Sequence, residues 1–226
     1  TLAANGKKEL FAKAITQFEA QLKKFPKGAT ADQANYWLGE SRYGSGDKAK
    51  SIDAYQKVVS DFPQSGQRCP ALYALGMTFQ ELNQYEKAGA AFDTFLAECK
   101  DHNLTTEVKL WKGETVFQAG LAAEQGGKEE AALTSFADAE KRFAEVVAVE
   151  KFNQADFALA RQALCTWKQN KPAEAGALYA KVISTFPQST HAGPAAISAA
   201  RCFYQAKQGD ESRKWFQKVI ETKGPE

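Results

Sequence analysis

The sequence predicts an all-α protein, a right-handed α–α superhelix of about five helix pairs that follow half a repeat at the N-terminus. Apolar residues recur with helical spacing, and the whole pattern returns every 37 residues. The pairs Phe62-Pro63 and Phe186-Pro187 end second helices, because proline cannot continue a helix. Alternating strand patterns are absent from the sequence. Helix pairs that repeat at a fixed period stack into a solenoid.

Residues 34–65 hold the repeat in its plainest form, two amphipathic helices joined by a turn at 44–47. Gly39 lies in the middle of the first helix and Tyr55 on the second, and 37 residues later the pair returns as Gly76 and Phe92. Two helices approach to roughly 8–10 Å only where a small residue faces a large one. A mid-helix glycine costs about 1 kcal/mol relative to alanine, so its recurrence indicates close packing. The small positions are Gly39, Gly76, Gly113, Ala163 and Ala200, and the large ones are Phe18, Tyr55, Phe92, Tyr179 and Phe216.

The predicted order is a half repeat at 7–26 and repeats at about 29–63, 68–100, 104–150, 152–187 and 190–223, all in a single solenoid of residues 1–226. The third repeat is longer, because 50 residues instead of 37 separate Gly113 from Ala163. Its second-helix pattern occurs twice, around Phe136 and Phe143. We therefore expect a hairpin with longer helices that turns at Gly126-Gly127. This hairpin is either a partner site or a tolerated extension.

Composition and charge exclude several classes of function. The formal net charge is +2 and 25% of the residues are charged, with no basic run that would mark a nucleic-acid footprint. No apolar stretch approaches the roughly 18 residues of a membrane-spanning helix. His102 and His191 stand at no metal-ligand spacing, and Gly44 and Gly46 follow no strand that could form a phosphate loop. We predict no catalytic residue, no metal and no cofactor.

The four cysteines fall into two groups. Cys69 opens the first helix of the second repeat and Cys99 closes its second helix, so antiparallel packing brings them to the same end. They can form a disulfide if their Cα atoms come within about 7 Å. Alternatively, Cys99 replaces the phenylalanine found at 25, 62 and 186. Cys165 and Cys202 lie 37 residues apart at positions that are small in the other repeats, which predicts buried fillers.

The inner face of the first helices is the predicted partner-binding surface. Residues three before, one after and four after the small residue share one face of a helix. In the present chain this face, with its neighbouring position, carries Tyr36, Glu40, Tyr43, Tyr73, Met77, Glu114, Phe117, Leu164, Trp167, Lys168, Arg201 and Tyr204. It is aromatic throughout, acidic towards the N-terminal half and basic towards the C-terminal end, which predicts a partner segment of opposite polarity. The aromatic side chains serve either binding or packing between neighbouring first helices.

The spacing, the small mid-helix residue, the aromatic and the proline resemble the tetratricopeptide repeat family, with three extra residues in each link. The links FPQSGQRCPALYALG and FPQSTHAGPAAISAA, with ANYWLGE at 34–40, are similar to those of bacterial periplasmic members. Those members are of the Tol–Pal-associated cell-division coordinator and outer-membrane assembly lipoprotein type. The resemblance implies a non-enzymatic adaptor or scaffold of the cell envelope that binds a protein or peptide segment in its concave groove. It implies a periplasmic location, for which the cytoplasm is the alternative.

Two further functions compete with the adaptor. An aromatic wall also stacks on sugar rings, which would suit a carbohydrate- or peptidoglycan-associated module. A structural spacer within a larger protein would leave the groove without a function. Apolar residues on the first and last helices, such as Phe11 and Ile220, indicate either a segment of a longer chain or self-association.

Overall fold

A computed structural model describes the backbone of residues 2–223 and the side chains of residues 8–220. Over residues 2–223 the chain forms eleven α-helices and no strand, which confirms the all-α fold. The helices are α1 (Leu2–Lys24), α2 (Ala31–Ser45), α3 (Lys48–Asp61), α4 (Arg68–Glu81), α5 (Tyr85–Glu98), α6 (Thr105–Gln125), α7 (Glu129–Val147), α8 (Ala155–Lys168), α9 (Pro172–Thr185), α10 (Ala192–Gln205) and α11 (Gly209–Lys223). After α1 they form five hairpins, each of which lies inside one of the five predicted repeat spans.

The chain divides into two compact units. Unit 1 is residues 1–105 and holds α1 to α5; unit 2 is residues 106–226 and holds α6 to α11. In unit 1 each helix packs against the next one along the chain, and the same holds from α7 to α11 in unit 2. That all the hairpins form one continuous solenoid stays a prediction, as does self-association through the terminal helices.

Close contacts between glycine and an aromatic ring hold the hairpins of unit 1 together. A Cβ on Gly39 would lie 2.4 Å from the ring of Tyr55, and one on Gly76 would lie 2.3 Å from the ring of Phe92. Both rings are fully buried. The predicted pairing of a small residue with a large one is therefore confirmed in α2–α3 and α4–α5. A further pair, Phe11 against Gly44, seats α1 on α2.

A residue with left-handed backbone ends the first helix of every hairpin. Positive φ angles from 57° to 93° occur in these turns, where they let the chain reverse after the helix. The five turn residues are Gly46, Asn83, Gly127, Asn170 and Lys207. In the first hairpin the side chain of Asp47 then caps α3 by accepting a hydrogen bond from the backbone N–H of Lys50 at 3.2 Å. The turn predicted at 126–127 is present, and the one predicted at 44–47 is shorter, because α2 continues to Ser45 and leaves only residues 46–47 between the helices.

The third hairpin is longer, as predicted. Helix α6 has 21 residues and α7 has 19, whereas most of the other hairpin helices have 14. It contains two glycine–aromatic layers: a Cβ on Gly113 would lie 3.2 Å from the ring of Phe143, and one on Gly120 would lie 2.8 Å from that of Phe136. The added length is thus one extra packing layer.

One predicted packing contact in unit 2 is wrong. Phe216 was expected to fill the space beside Ala200, but 41% of it is exposed, whereas the neighbouring Trp215 is only 7% exposed and joins the core with Ala200. A contact that the repeat pattern did not predict also holds this unit together: Phe203 packs on Gly176, where a Cβ would lie 2.9 Å from its ring. The core here depends on contacts between hairpins as well as within them.

The same pair of hydrogen bonds is found in two of the links between repeats. The Ser65 hydroxyl donates to Asp32 Oδ2 at 2.6 Å, and the Ser189 hydroxyl donates to Asp156 Oδ2 at 2.5 Å. In each link the serine oxygen also accepts a hydrogen bond from a backbone N–H two residues later, at 2.9 Å. The first helix of one repeat is therefore tied to the link that leads into the next.

Candidate functional site

In unit 1 the structure brings all the predicted surface residues together around one depression of about 240 Å³. We call it the tyrosine cleft; it lies among α2, α3 and α4. Its lining is Tyr36, Glu40, Tyr43, Tyr55, Tyr73, Ala74, Met77 and Thr78. Tyr55 was predicted only as a packing residue, and its ring also forms part of this lining. It stands 6.1 Å from the ring of Tyr36, measured between centroids.

Two carboxylates accept hydrogen bonds from these tyrosines. The Tyr55 hydroxyl donates to Glu40 Oε1 at 2.6 Å, and the Tyr43 hydroxyl donates to Glu81 Oε1 at 2.6 Å. Glu81 is in addition paired with Lys48, whose Nζ lies 2.8 Å from Oε2. The charge of Glu81 is therefore balanced, whereas the lining of the cleft holds no cation to balance Glu40.

The pKa values of the tyrosines lie above their usual range. Burial, followed by the nearby charge of Glu40, raises the pKa of Tyr36 to about 12. Burial and the hydrogen bond to Glu81 raise the pKa of Tyr43 to about 12. Burial also raises the pKa of Tyr55, with a further contribution from its hydrogen bond to Glu40. These three hydroxyls are therefore neutral at physiological pH and remain hydrogen-bond donors.

In unit 2 four predicted surface residues line a larger depression of about 470 Å³. We call it the tryptophan cleft; its lining is Leu164, Trp167, Tyr179, Ser198, Arg201, Cys202, Tyr204, Gln205 and Phe216. Trp167 is 39% exposed and Tyr204 is 74% exposed. The indole N–H of Trp167 donates to Gln205 Oε1 at 2.8 Å, which fixes the orientation of its ring.

Arg201 is the only charged residue in the lining of the tryptophan cleft. Among the side chains described between residues 8 and 220, none forms a hydrogen bond or an ion pair with its guanidinium. A second depression of about 290 Å³ shares Leu164, Tyr179 and Ser198 with this cleft. The two together make an extended surface across α8 and α10 that is aromatic and positively charged.

Two of the residues that were predicted to lie on the surface are buried, so for them the predicted exposure is wrong. Glu114 is 4% exposed and Phe117 is 1% exposed. Arg161 covers them from α8: its Nη2 donates to Glu114 Oε1 at 3.1 Å, and its guanidinium lies 5.3 Å from the ring of Phe117. The position equivalent to Arg161 is Trp37 in the first repeat and Ser198 in the last, so the repeat pattern alone did not predict this contact.

The predicted residue Lys168 faces the lengthened hairpin. Its Nζ lies 2.6 Å from Glu124 Oε2 and 5.7 Å from the ring centre of Phe136. Its charge is thus balanced within unit 2. Because Glu81, Glu114 and Lys168 are all paired, the unbalanced charges that remain from the predicted change from acidic to basic are Glu40 in unit 1 and Arg201 in unit 2.

Cys69 and Cys99 are joined by a disulfide, with their Cα atoms 6.1 Å apart. The bond ties the start of α4 to the end of α5, which is the first of the two alternatives that the sequence left open. Cys165 and Cys202 are buried free thiols, as predicted. Burial raises the pKa of the Cys202 thiol to about 11, and burial together with the charge of Glu114 raises that of Cys165 further.

Within the described part of the chain, histidine, cysteine and carboxylate side chains form no cluster of three or more that could hold a metal ion. None of the helices in that part combines the length and the apolar character that crossing a bilayer requires. What the described surface offers is aromatic rings, hydrogen-bonding groups and a few unbalanced charges.

The fold defines a class of protein: a helical-repeat chain of the kind that serves as an interaction scaffold. Three segments of the chain, residues 33–65, 70–102 and 157–189, match the model of the tetratricopeptide repeat family. These segments overlap α2–α3, α4–α5 and α8–α9, so these three hairpins are similar in sequence to tetratricopeptide repeats. A comparison with curated proteins returns no match.

Solved structures support the same fold. A crystal structure of MamA protein matches with a TM-score of 0.60 and 21% identity, covering 85% of this chain and 91% of that one. A tetratricopeptide repeat protein from Parabacteroides merdae matches with a TM-score of 0.60 and 18% identity, covering 95% and 74% respectively. BtubC (BKLC) from P. vanneervenii matches with a TM-score of 0.60 and 9% identity, covering 96% and 89%. At these identities the likeness concerns the fold alone.

Proposed function

We propose that this protein is a non-enzymatic scaffold that binds a segment of a partner protein in the tryptophan cleft of unit 2. The observation that carries the proposal is the exposure of Trp167 and Tyr204 around an apolar cleft whose single charge, on Arg201, is unpaired. Tryptophan, tyrosine and arginine are the residues that most often dominate the binding energy of protein interfaces.

The cleft is suited to a peptide because it is already ordered. The hydrogen bond between Trp167 and Gln205 holds the indole in place, so its immobilisation adds little to the entropic cost of binding. Large aromatic rings supply contact area with few rotatable bonds. Because the cleft is apolar apart from Arg201 and a few neutral polar groups, the best partner segment has an apolar side chain beside an acidic one.

We further propose a location in the bacterial cell envelope. The disulfide between Cys69 and Cys99 supports an oxidising compartment such as the periplasm, because disulfides are rare in the reducing cytosol. The resemblance of the links to those of periplasmic repeat proteins points the same way. Fractionation of the cells that make this protein tests the location: recovery with the cytosolic markers, with Cys69 and Cys99 reduced, would contradict it.

Selection from a random peptide library on the immobilised chain tests the binding site. We expect the enriched peptides to combine an acidic residue with an aromatic or aliphatic one. Trp167→Ala and Arg201→Glu should each lower their affinity at least tenfold, which corresponds to about 1.4 kcal/mol. Trp37→Ala and Arg213→Glu are the matched controls, since Trp37 is 51% exposed and Arg213 is also exposed, and neither lines the tryptophan cleft.

If the control substitutions weaken binding as much as the cleft substitutions, the proposed site is wrong. A glycan array decides the carbohydrate alternative, because Trp167 and Tyr204 could also stack on sugars. In that case Trp167→Ala would abolish binding while Arg201→Glu would leave it unchanged. A chain that enriches no peptide and retains no glycan would favour the structural spacer.

A further inference from the structure

We infer that the tyrosine cleft of unit 1 is a separate site for a cationic side chain, a lysine or arginine presented by a partner polypeptide. This inference concerns other residues than those of the tryptophan cleft, and either site can fail without the other.

The walls of the tyrosine cleft favour a cation. Four tyrosines and the Met77 thioether surround it, and the faces of tyrosine rings carry negative potential that attracts an ammonium or guanidinium group. Tyr36, Tyr43, Tyr73 and Met77 are each only half-buried, so a side chain can enter from solvent. A cation within about 6 Å of such a ring gains more in a partly desolvated cleft than at an exposed position.

The charge in the cleft favours the same ligand. Glu40 is the only charged residue of the lining, and the Tyr55 hydroxyl occupies its Oε1. Among the described side chains, no lysine, arginine or histidine forms an ion pair with Glu40, whereas Glu81 nearby is paired with Lys48. Because Tyr36, Tyr43 and Tyr55 are neutral and the lining holds no cation, the carboxylate gives the cleft an uncompensated negative charge.

The size of the cleft favours a single side chain over a whole small molecule. Its volume of about 240 Å³ is below the ≈ 300–1,000 Å³ of common small-molecule sites. A lysine or arginine side chain has an apolar stem that can lie along the rings and a charged end that can reach Glu40. The site therefore accepts one basic residue of a longer chain.

The single methionine of the sequence provides the measurement, because Met77 lines the cleft. With [13C]methyl-methionine labelling, the Met77 methyl signal is followed while the peptide Ac-Gly-Lys-Gly-NH2 is added. We expect a saturable shift. The norleucine peptide, which keeps the four-carbon stem but lacks the amine, and the glutamate peptide should bind at least fivefold more weakly. Equal responses to the lysine and norleucine peptides would overturn the inference.

A pair of variants tests the role of the carboxylate. Glu40→Gln keeps an acceptor for the Tyr55 hydroxyl but removes the charge, and we expect it to lower the affinity for the lysine peptide at least fivefold. Glu86→Gln makes the same change in net charge at an exposed residue of α5 outside the lining, and should change the affinity less than twofold. Equal affinities of the two variants would contradict the inference.

One further arm distinguishes a polypeptide from a free amine. Methylammonium offers the cation without the stem or the peptide groups, so we expect it to bind at least tenfold more weakly than the lysine peptide. If methylammonium shifts the Met77 signal with the same affinity, the site takes free amines and the assignment to a partner polypeptide is wrong. Because the peptide series uses the unaltered chain, it does not depend on the folding of any variant.

Discussion

Glu114 and Arg161 form an ion pair between α6 and α8, in which Nη2 donates to Oε1 at 3.1 Å and Nε lies 3.0 Å from Oε2. The second approach lacks the angles of a hydrogen bond and is an ionic contact. The guanidinium lies 5.3 Å from the ring centre of Phe117 and 5.0 Å from that of Phe157. A charge pair enclosed by aromatic rings thus joins the lengthened hairpin to the next one.

Removing one partner of this pair should destabilise unit 2. Glu114→Leu leaves the Arg161 cation without its counter-charge, and we expect a loss of about 2–3 kcal/mol in the free energy of unfolding. The estimate lies below that for a fully buried pair because the Arg161 side chain keeps 29% exposure. The double variant Glu114→Leu with Arg161→Met should lose less than the sum of the single variants, as measured by urea denaturation. Additive losses would show that the two side chains do not interact.

The glycine–aromatic contacts predict a graded response to an added methyl group. Gly76→Ala places a Cβ 2.3 Å from the ring of Phe92, and we expect it to destabilise the protein by about 2 kcal/mol through overpacking. At Gly113 the nearest ring atom lies 3.2 Å away, so the higher helix propensity of alanine, about 1 kcal/mol, offsets much of the strain. Thermal unfolding of the two variants compares them directly. A larger loss for Gly113→Ala would contradict the packing described.

The disulfide should contribute strongly to the stability of unit 1. Cys69 and Cys99 are 30 residues apart, and closing a loop of that size stabilises the folded chain by about 3–4 kcal/mol in the chain-entropy model. Denaturant unfolding with and without reductant measures the difference. In the double variant Cys69→Ala with Cys99→Ala, reductant should have no effect. An effect that persisted in this variant would mean that reductant acts elsewhere.

The two free thiols should be unreactive in the folded protein. Cys165 and Cys202 are buried, and their raised pKa values leave almost no thiolate at pH 8. We expect no reaction with Ellman's reagent under native conditions and two thiols per chain after unfolding in guanidinium chloride without reductant. Four thiols after unfolding would contradict the disulfide.

The Asp156–Ser189 hydrogen bond predicts a loss of stability in acid. Burial raises the pKa of Asp156, but the hydrogen bonds from the Ser189 hydroxyl and the Phe157 backbone N–H outweigh it, and the net pKa is lowered. The stabilisation is therefore present above the unfolded pKa of about 4 and is lost as pH falls through the lower folded value. Ser189→Ala should cost about 1 kcal/mol at pH 6. This difference should shrink below about pH 4; a constant difference down to pH 2.5 would contradict the assignment.

The 37-residue period predicted the helices and the contacts within the first two hairpins, because a small residue and a large one at fixed spacing on neighbouring helices can pack together. Gly39 with Tyr55 and Gly76 with Phe92 follow directly from it. In the last hairpin the period selected Phe216, whereas Trp215 fills the core. Gly120 was missed, although its spacing of 16 residues from Phe136 equals that of Gly39 from Tyr55. The second glycine–aromatic layer of this hairpin breaks the 37-residue period, so the 16-residue spacing was not recognised there.

The 37-residue repeat did not predict the contacts between neighbouring hairpins. Arg161 buries Glu114 because of the length and direction of one side chain, which a periodicity does not describe. The hydrogen bonds between serine and aspartate could have been predicted from the sequence. Asp32 precedes Ser65 by 33 residues, and Asp156 precedes Ser189 by the same number. Spacing placed Trp167 and Arg201 on a common helix face, and both line the tryptophan cleft. The same spacing failed for Glu114 and Phe117, which Arg161 covers.

The two layers of the third hairpin have a consequence for how such a chain can change in size. Gly113 lies eight residues after the start of α6, as Gly39 does in α2, and Gly120 keeps the standard distance to Phe136. Excision of 114–120 together with 137–143 would place Gly113 sixteen residues before Phe136, the spacing of an ordinary hairpin. In this hairpin the glycines and the rings both recur after seven residues, so removing seven residues from each helix would again place a ring opposite a glycine.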